Sequence, residues 1–591
     1  MLEAMKSPLR ISVLCLASAL LACRPGSETD DDAAAETDDR GSETGDTQSG
    51  ESSETETSGS ESETGGDGDT QGETQTETGT DTGGELPTWR SVLYPEDWVP
   101  GFGDGQGRLL HDFSYAGYHN SELPLPDSIP GVTLSVLEFG ADPSGTSDSN
   151  AAIQATIDAV AEAGGGVVEL PAGSFRCDDL LEVTTSGVVI RGAGADQTQL
   201  WFTRAEAMTG RDHLSFRGVV STGAELPLSV DGEALSHDIW VADADPLAVG
   251  DSVSVGWVIS DPFIEEHEMT GTWVTFNGQW RPFFRRQIEA IDCQDQGCRL
   301  TLDVPLRYPA LLRDQASVRI ESGYLDEVGV EALSVSTVNS WSAAWALDRS
   351  HAIAFVGVAD GWMRDIESFE SPNSDDDKGR HLMSGGLFVG DSKRVTVADS
   401  LMALPQHRGP GGNGYLFEIS RSSEVLTRDS AAFHGRHNFI QNWDFGTSGC
   451  VWMRVHSEGG VAYTDSTELL GYPARSEYHH SLAMANLVDD SQLVDGWSAA
   501  NRNSYSSGAG HSATQNVFWN VRGLGTIRSF QFGWGYVIGT QELTIRRLIS
   551  EGQLFDSIDT EPEDWLEGED MGASLSPGSL FEDQLARRLN P

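Results

Sequence analysis

The amino-acid sequence predicts an all-β protein built as a solenoid of parallel strands, and three features indicate this class. The 591 residues exceed the size of one ordinary compact domain, whereas repeat folds grow by stacking each coil on the next. From about residue 325 to 555, short β-rich segments alternate with Gly, Asn, Asp and Ser and show no helical period. A helix-like segment precedes them, where it can cap the exposed first coil.

The first 23 residues have the pattern of an export signal. Lys6 and Arg10 precede an apolar run at 11–21, which is too short to span a bilayer and ends just before Cys23. This ending resembles the bacterial lipobox, in which the cysteine is lipidated and becomes the new N-terminus. We therefore expect 1–23 to be a lipoprotein signal peptide and the lipid on Cys23 to be the protein's contact with a membrane. The expected location is the cell envelope, at the outer membrane or cell surface, or the secreted fraction.

Residues 24–86 form a low-complexity acidic segment. Between residues 27 and 85 the sequence has 20 Asp or Glu and one Arg. Such a segment cannot bury enough apolar surface to fold, so it is predicted to be a disordered, extended linker. The net charge of −55 extends beyond the linker, which argues against nucleic acid as a partner. No cofactor or metal ligand is assigned, but Ca²⁺ is kept as an option because carboxylates are abundant.

Residues 137–194 carry the most specific motif of the chain. Ser149 or Asp148 is a suitable N-cap for a helix whose apolar residues recur at helical spacing, and Gly164 begins a run of three glycines that ends it. The whole stretch resembles the N-terminal signature of the pectate-lyase superfamily, in its rhamnogalacturonase and epimerase-like group. The resemblance implies a right-handed parallel β-helix. It leaves the reaction open, since lyases, hydrolases, epimerases and phage tailspikes share it.

The sequence between the motif and the later coils departs from the coil pattern. Residues 239–241 and 251–258 alternate like strands of an exposed sheet, and Cys293 and Cys298 flank four residues as in a hairpin disulfide of an oxidising compartment. The predicted organisation is a signal peptide at 1–23, a disordered linker at 24–86, an N-terminal segment packed on the β-helix at 87–130, first coils with a capping helix at 131–214, a β-rich insertion at 215–322, the main β-helix at 323–560 and a C-terminal cap or tail at 561–591.

Histidines recur along the predicted coils. Nine of the 14 His lie between His351 and His511. Six of them follow one another at 22 to 31 residues, namely His381, His407, His434, His456, His480 and His511. The resemblance implies coils of roughly 20 to 30 residues, so equivalent residues would lie one strand spacing apart, about 4.8 Å. These histidines, with several arginines, could therefore line one face, although single ones are also common as structural turn residues.

Two dense segments, 434–444 and 477–511, combine the residue types that a sugar-acid site needs. Imidazoles move protons, guanidinium groups pair with carboxylates, and aromatic rings stack on sugars. We assign the catalytic base to His437 or His480, the acid to Tyr478, and carboxylate neutralisation to Arg436 or Arg502. The predicted substrate-binding residues are His407, Arg408, Asn442, Trp443, Trp497 and His511.

These assignments predict a polysaccharide lyase that cleaves an acidic, uronate-containing polysaccharide by β-elimination and works as a monomer. An epimerase would begin with the same proton abstraction. A glycoside hydrolase of the polygalacturonase or rhamnogalacturonase type is an alternative, with Asp489 and Asp490 as the carboxylates, but the other polygalacturonase motifs are absent from the sequence. A non-catalytic glycan-binding surface β-helix is the third reading, against which the density of His, Arg and Tyr argues.

Overall fold

The computed structural model describes residues 88–295, 297–374, 378–547, 560 and 562–590. The predicted signal peptide, with its lipidation site Cys23, and the predicted linker 24–86 lie outside the described residues. Within the described ranges, no helix is both long enough and apolar enough to cross a membrane.

The chain folds as a parallel β-helix, because consecutive short strands pair in parallel with strands of the next coil instead of with each other. One face of the solenoid, called the site face below, is a sheet of parallel strands. Among the described residues it consists of Leu181–Val183, Arg211–Arg217, Ser350–Val356, Gly385–Gly390, Tyr415–Ser420, His437–Asn442, Ser476–Tyr478, Gly496–Ala499, Thr526–Ser529 and Thr544–Arg546.

The remaining coil strands join into a longer parallel sheet that turns around the solenoid. In the described part of the chain its strands are Val132–Ser135, Ser144–Asp148, Gly166–Glu169, Gly173–Cys177, Val188–Arg191, Thr198–Phe202, Leu325–Asp326, Gly329–Thr337, Val358–Ser368, Lys393–Ala398, Leu401–Ala403, Leu426–Arg428, Ala431–Phe433, Val451–Met453, His456–Glu458, Leu487–Asp489, Gln492–Leu493, Val517–Arg522, Tyr536–Gln541 and Trp565–Glu567. A short parallel pair, Ala483–Met484 with Ala513–Thr514, completes the coils.

Apolar side chains from successive coils fill the interior in register. Ile353, Leu387, Phe417 and Phe439 are register partners on neighbouring strands of the site face, and all four belong to one buried core. The rings of Phe417 and Phe439 stack with centroids 5.0 Å apart. Each such side chain contributes roughly 1.5–3 kcal/mol when fully buried, so the stack fixes the alignment of the coils and of the polar side chains on them.

The predicted N-terminal helix spans Asn150–Glu162. Its Ile153, Ile157 and Val160 are buried in the solenoid core, as their spacing predicts. The carboxylate of Asp148 accepts the backbone N–H of the first helical residue at 3.0 Å, which satisfies a donor that the helix itself cannot. The helix therefore packs its apolar face on the first strands of the solenoid.

An antiparallel sheet separate from the coils occupies residues 221–322. In the described part of the chain its strands are Ser221–Thr222, Leu226–Pro227, Asp238–Val241, Ser252–Val258, Trp280–Gln294, Gly297–Leu302 and Ser317–Ser322. Cys293 and Cys298 form a disulfide between two of these strands, where they are register partners. A second buried core, which includes Trp257, Trp273 and Phe283, holds this sheet together and joins it to Phe445 of the coils. We call this sheet the insertion.

The two ends of the described chain pack on each other along the longer sheet. Leu580 and Phe581 of the C-terminal helix Leu580–Leu589 share a buried cluster with Leu93, Tyr94 and other residues of the N-terminal segment. The remaining short helices are Tyr118–Ser121, Val136–Phe139, Asp261–Glu266, Leu312–Asp314, Trp341–Ala344, Tyr505–Gly508 and Gly572–Ser574, and the coil after His456–Glu458 carries an antiparallel hairpin of Val461–Tyr463 and Gly471–Pro473.

Candidate active site

Three adjacent strands of the site face bring a compact polar cluster together. Tyr415 and His437 begin neighbouring strands, are register partners, and place their ring centroids 5.2 Å apart. Glu477 and His479 come from the next coil, and the ring of His479 lies 5.8 Å from that of His437. Arg502 reaches the same place from the loop after the following strand. We call His437, Glu477, His479 and Arg502 the His–Glu cluster.

The carboxylate of Glu477 is the centre of the His–Glu cluster. Its Oε1 accepts a hydrogen bond from Arg502 Nη1 at 2.6 Å and one from His479 Nδ1, and it lies 3.9 Å from His437 Nε2. Burial would raise the pKa of Glu477, but Arg502, His437 and His479 outweigh burial and hold it below its ordinary value. Glu477 is therefore ionised and fixes the two imidazoles and the guanidinium around itself.

The backbone sets the tautomer of His437. Its Nδ1 lies 2.6 Å from the carbonyl oxygen of Arg475, and since a carbonyl can only accept, Nδ1 carries the proton. In the neutral ring the lone pair is then on Nε2, the nitrogen that faces Glu477. A general base needs an unprotonated nitrogen of this kind, directed at the proton that it removes.

A second polar network lies on the preceding coils of the same face. His351 bridges two carboxylates, with Nδ1 2.9 Å from Asp212 Oδ1 and Nε2 2.8 Å from Glu418 Oε2. Arg349 also pairs with Glu418, and Asn442 Nδ2 donates to it at 3.1 Å. Burial opposes ionisation of Glu418, but Arg349 and His351 lower its pKa to about 2. Asn442 comes from the same strand as His437 and thus joins this network to the His–Glu cluster.

Arginines from successive coils lie beside the cluster. Arg408 and Arg436 both pack against Gly414, since a Cβ on this glycine would lie 3.1 Å from a side-chain atom of each. Arg436 donates to the carbonyl of Gly409 at 2.8 Å. Arg380 lies close enough to Arg408 for its charge to help burial lower the pKa of Arg408. Arg380, Arg408 and Arg436 precede three successive strands of the site face, and Arg436 is next to His437 in the sequence. We call these three residues the arginine row.

Two sequence-based assignments are wrong. Tyr478 and Trp497 lie inside the solenoid core, where their rings are 5.5 Å apart and neither side chain is more than 1% exposed. Side chains alternate between the two faces of a strand, so Tyr478 points inward because Glu477 faces the cluster. Burial raises the pKa of Tyr478 far above its usual range. Both rings belong to the packed interior of the solenoid and lie on the opposite side of their strands from the cluster.

The remaining predicted residues form a buried rim around the cluster. His480 donates through Nε2 to the carbonyl of Ser506 at 2.6 Å and packs edge-on against Trp443 at 4.2 Å. His511 lies between the coils and the insertion, 5.0 Å from the ring of Phe532. His407 packs on Trp345 at 4.3 Å, and burial with the charge of Arg436 lowers its pKa to about 3. The catalytic role of His480 and the substrate-binding roles of His407 and His511 stay predictions.

The carboxylates considered for a hydrolase are structural as well. Asp489 is buried and accepts the backbone N–H groups of Leu580 and Phe581, each at 3.0 Å, at the start of the C-terminal helix. Burial raises its pKa to about 7. Asp490 pairs instead with Arg522 at 2.8 Å. The two side chains thus serve different elements and do not flank a common site.

The donor atoms of the His–Glu cluster can be tested against metals. One nitrogen each from His437 and His479 and one oxygen from Glu477 lie within 4.8 Å of one another. Two imidazoles and one carboxylate suit zinc or iron, whereas Ca²⁺ takes six to eight oxygen ligands. Arg502 already neutralises the carboxylate. The cluster does not fit Ca²⁺, and assistance by Ca²⁺ elsewhere stays a prediction.

Two loops contact the segments that carry the cluster. The hairpin at 461–473 follows the coil on one side, where Val461 N–H donates to Gly435 O at 2.9 Å. On the other side the loop 501–511 brings Arg502 to Glu477, and the insertion supports this loop through Trp273 Nε1, which donates to Ala509 O at 2.9 Å. His437 is consequently only 1% exposed. The insertion thus contacts a loop that carries a residue of the cluster.

Sequence reasoning missed several members of the site. Glu477 and His479 lie in a segment that the sequence singles out, but the roles were given to their neighbours Tyr478 and His480. Tyr415, Glu418 and other partners lie in strands that look like ordinary coil segments. The alternation of side chains along a strand could have identified Glu477 and His479, because residues 477 and 479 share one face and residues 478 and 480 share the other.

Comparisons with known proteins agree with this architecture. Residues 133–224 match the model of the family described as rhamnogalacturonase A/epimerase, pectate lyase-like. A mannuronan C5-epimerase of Azotobacter vinelandii, AlgE3, is 48% identical over 74 residues, which are 11% of this chain and 4% of that protein. AlgE4 of the same organism is 44% identical over 73 residues, 11% of this chain and 13% of that protein. The chain therefore spans a small part of the curated relatives that it matches.

Solved structures with similar folds have low sequence identity. The tailspike gp49 of Pseudomonas phage LKA1 aligns with a TM-score of 0.44 and 14% identity over 70% of this chain and 64% of that chain. The A-module of AlgE4 aligns with a TM-score of 0.22 and 12% identity over 74% of this chain and 95% of that chain. The predicted resemblance is confirmed over residues 133–224, and the described coils form a parallel β-helix.

Proposed function

We propose that this protein is an extracellular enzyme that cleaves an acidic, uronate-containing polysaccharide by β-elimination. The observation that carries the proposal is the placement of His437, with Nε2 as its basic nitrogen, beside Glu477 and Arg502 and next to the arginine row. In β-elimination a base removes the C5 proton of a uronate, while cations stabilise the charge that spreads onto the carboxylate.

The proposed step uses residues of two neighbouring strands. His437 Nε2 takes the C5 proton, and the electron pair left behind forms the C4–C5 double bond as the C4–O4 bond breaks. Tyr415, whose ring is 5.2 Å from that of His437, gives its hydroxyl proton to the departing oxygen. Arg436 and Arg408 bind and neutralise the uronate carboxylate.

The two buried glutamates of the site face, Glu418 and Glu477, are poor candidates for the acid of a hydrolase. A glycosidase needs one carboxylic acid with a raised pKa as the proton donor. Despite their burial, cationic neighbours lower the pKa of both Glu418 and Glu477. Both are therefore ionised in the neutral range and suited to holding cations, not to protonating a glycosidic oxygen.

Epimerisation at C5 is the second candidate, favoured by the local identity with mannuronan C5-epimerases. The first step is the same abstraction by His437. In an epimerase, a proton returns to C5 from the opposite face, and the bond to O4 stays intact. Solvent deuterium would then enter C5 without chain cleavage.

The setting proposed for this reaction is the cell envelope, with a single chain held by lipid at Cys23. A net charge of −55 makes an anionic polymer an unfavourable ligand except where cations cluster. The arginine row is such a place, which supports an acidic polysaccharide bound at the site face.

The test incubates the full chain with polygalacturonate, alginate and glycosaminoglycans in D₂O, with and without Ca²⁺. Ultraviolet absorbance follows the unsaturated uronate, a reducing-end assay follows cleavage, and proton NMR follows deuterium at C5. Absorbance rising together with reducing ends supports the lyase. Deuterium at C5 without new ends establishes an epimerase, and new ends without absorbance would overturn abstraction in favour of hydrolysis.

A matched pair of variants ties the reaction to the site. His437→Ala removes the proposed base, whereas His456→Ala removes a partly exposed histidine of the longer sheet that contacts Glu458. We expect the first variant to lose turnover and the second to keep it. Equal activities would contradict the assignment, and binding of a polymer without any turnover would indicate a glycan-binding β-helix.

A further inference from the structure

A hairpin inserts a carboxylate between two arginines next to the site. Its strands are Val461–Tyr463 and Gly471–Pro473, and its tip is 464–470. From the tip, Glu468 Oε2 accepts from Arg380 Nη2 at 2.7 Å, and Oε1 accepts from Arg408 Nη2 at 2.6 Å. Each carboxylate oxygen thus has its own guanidinium, which is how arginines bind a carboxylate ligand.

The surroundings of Glu468 suit a sugar acid. Lys378 Nζ adds a third contact to Oε2 at 2.7 Å. The guanidinium of Arg380 lies 5.1 Å from the ring centre of Trp341, and that of Arg408 lies 4.8 Å from Tyr463. Cations paired with aromatic faces are what a charged pyranose needs for its carboxylate and its ring. Burial would raise the pKa of Glu468, but the three cations lower it, so its carboxylate is ionised.

The two ends of the hairpin are held differently. At the base, the backbone N–H groups of Val461 and Tyr463 donate to the solenoid at 2.9 Å each, and Ala462 and Tyr472 are buried. The tip is attached by polar contacts, the Glu468 pairs and Trp341 Nε1, which donates to Ser466 O at 3.0 Å.

The tip gains little from apolar burial. Leu469 and Leu470 are 82% and 56% exposed. Opening the tip therefore costs little hydrophobic energy, and a competing anion can replace the ion pairs that it breaks.

We propose that Glu468 is an internal stand-in for the carboxylate of an acidic polysaccharide, and that the tip 464–470 is a lid that such a ligand displaces from Arg380 and Arg408. Opening the lid frees Arg380 and Arg408 of the arginine row for the ligand, and Arg436 is near them because Arg408 and Arg436 both pack against Gly414. The inference rests on the proposed function for the class of ligand. A binding measurement tests the inference whether or not the protein turns the polysaccharide over.

The test measures equilibrium binding of a hexuronate oligosaccharide to the full chain by calorimetry, with a neutral hexose oligosaccharide of equal length as the reference ligand. Glu468→Gln keeps the shape of the side chain and removes its charge. We expect roughly ten-fold tighter binding of the uronate ligand, since a larger fraction of the protein is open, and no change for the neutral ligand. Glu468→Asp, which keeps the charge on a shorter stem, should give a smaller gain.

The control is Glu458→Gln, a half-exposed carboxylate beside the hairpin that contacts His456, for which no gain is expected. Arg408→Gln should abolish the gain. Unchanged or weaker uronate binding by both Glu468 variants, with thermal stability retained, overturns the lid, as does binding of no uronate ligand by any variant. Tighter binding by the Glu468 variants without any turnover would support the lid and contradict the lyase. Turnover by the wild type with no effect of the Glu468 variants on binding would support the lyase and contradict the lid.

Discussion

His437 and Arg475 are joined by a 2.6 Å hydrogen bond from the imidazole Nδ1 to the backbone carbonyl. Arg475 lies just after the hairpin, two residues before Glu477, so the same short segment that supplies the carboxylate of the cluster also orients the ring of His437. Because of this link, the proposed catalytic role of His437 can be tested by substituting single residues.

The first prediction concerns the base. His437→Gln keeps a hydrogen-bonding side chain but cannot take up a proton, so we expect kcat to fall about 10²- to 10⁴-fold, the usual contribution of a general base. The measurement is initial rate by product absorbance on the uronate polymer that the wild type turns over. His456→Gln is the matched control and should stay within two-fold of wild type, as an order-of-magnitude limit. A variant that keeps a tenth of the rate would remove His437 as the base.

The second prediction separates charge from geometry at Arg502. Its guanidinium donates to Glu477 Oε1 at 2.6 Å and to Ser506 Oγ at 2.8 Å, a forked pattern that an ammonium cannot reproduce. Arg502→Lys should lower kcat/KM by about ten-fold or more, because the carboxylate that holds both imidazoles loses one constraint. The surface arginine Arg454, which pairs with Asp429, provides the control Arg454→Lys.

A purely structural role for Arg502 would lower stability alone. The pH profile of kcat/KM is therefore recorded for Arg502→Lys as well. If Arg502 positions Glu477, the limb of the pH profile that reports the base should shift in the variant, since Glu477 is no longer held beside His437. An unshifted profile with lowered stability would assign Arg502 to the fold.

The third prediction contrasts two tyrosines. Tyr415 lies beside His437, whereas Tyr478 packs on Trp497 in the interior. Tyr415→Phe should lower the rate by about 10²-fold through loss of the proton donor. Tyr478→Phe should leave the rate unchanged. The reverse order, measured with the same polymer and checked by thermal stability, would restore the assignment that the structure contradicts.

The fold was predictable because its determinants are local. The helix Asn150–Glu162, the glycines after it and the short strands between turn residues can each be identified within a few positions of the sequence. Cys293 and Cys298 are likewise close in sequence, and they form the expected disulfide. The right-handed sense was predicted only from the resemblance of the N-terminal motif to a known superfamily.

The site was only partly predictable because it depends on register between coils. His437, Arg502 and Asn442 were identified from residue type and spacing, and they lie in the cluster or beside it. Tyr478 and Glu477 differ by one position, and a one-residue change in a strand moves a side chain to the opposite face.

The hairpin at 461–473 adds a further difficulty, since it lengthens the coil between His437 and Glu477. A coil of unequal length changes which residues become neighbours, so spacing alone could not pair these two. The hairpin also made the contact of Glu468 with Arg408 and Arg380 unpredictable, because these residues are 60 and 88 positions apart in sequence.

The last prediction concerns acid stability. Glu418 is 2% exposed, and despite burial Arg349 and His351 lower its pKa from 4.5 to about 2. A carboxylate whose pKa is lower in the folded state stabilises the fold fully above its unfolded pKa, and this contribution is lost as the pH falls through the folded pKa. The window is therefore about pH 4.5 down to about 2, with an upper size on the order of 3 kcal/mol.

Glu418→Gln should accordingly lower the apparent melting temperature most near pH 6, and the deficit should shrink steadily below pH 4.5. Loss of the charge also leaves His351, whose pKa is raised by Asp212 and Glu418 against the effect of burial, with a single carboxylate partner. Glu458→Gln, at a half-exposed position, should show little deficit at any pH. A deficit for Glu418→Gln that stays constant from pH 6 to pH 2 would mean that packing, and not the ion pairs of Glu418, supports this part of the site face.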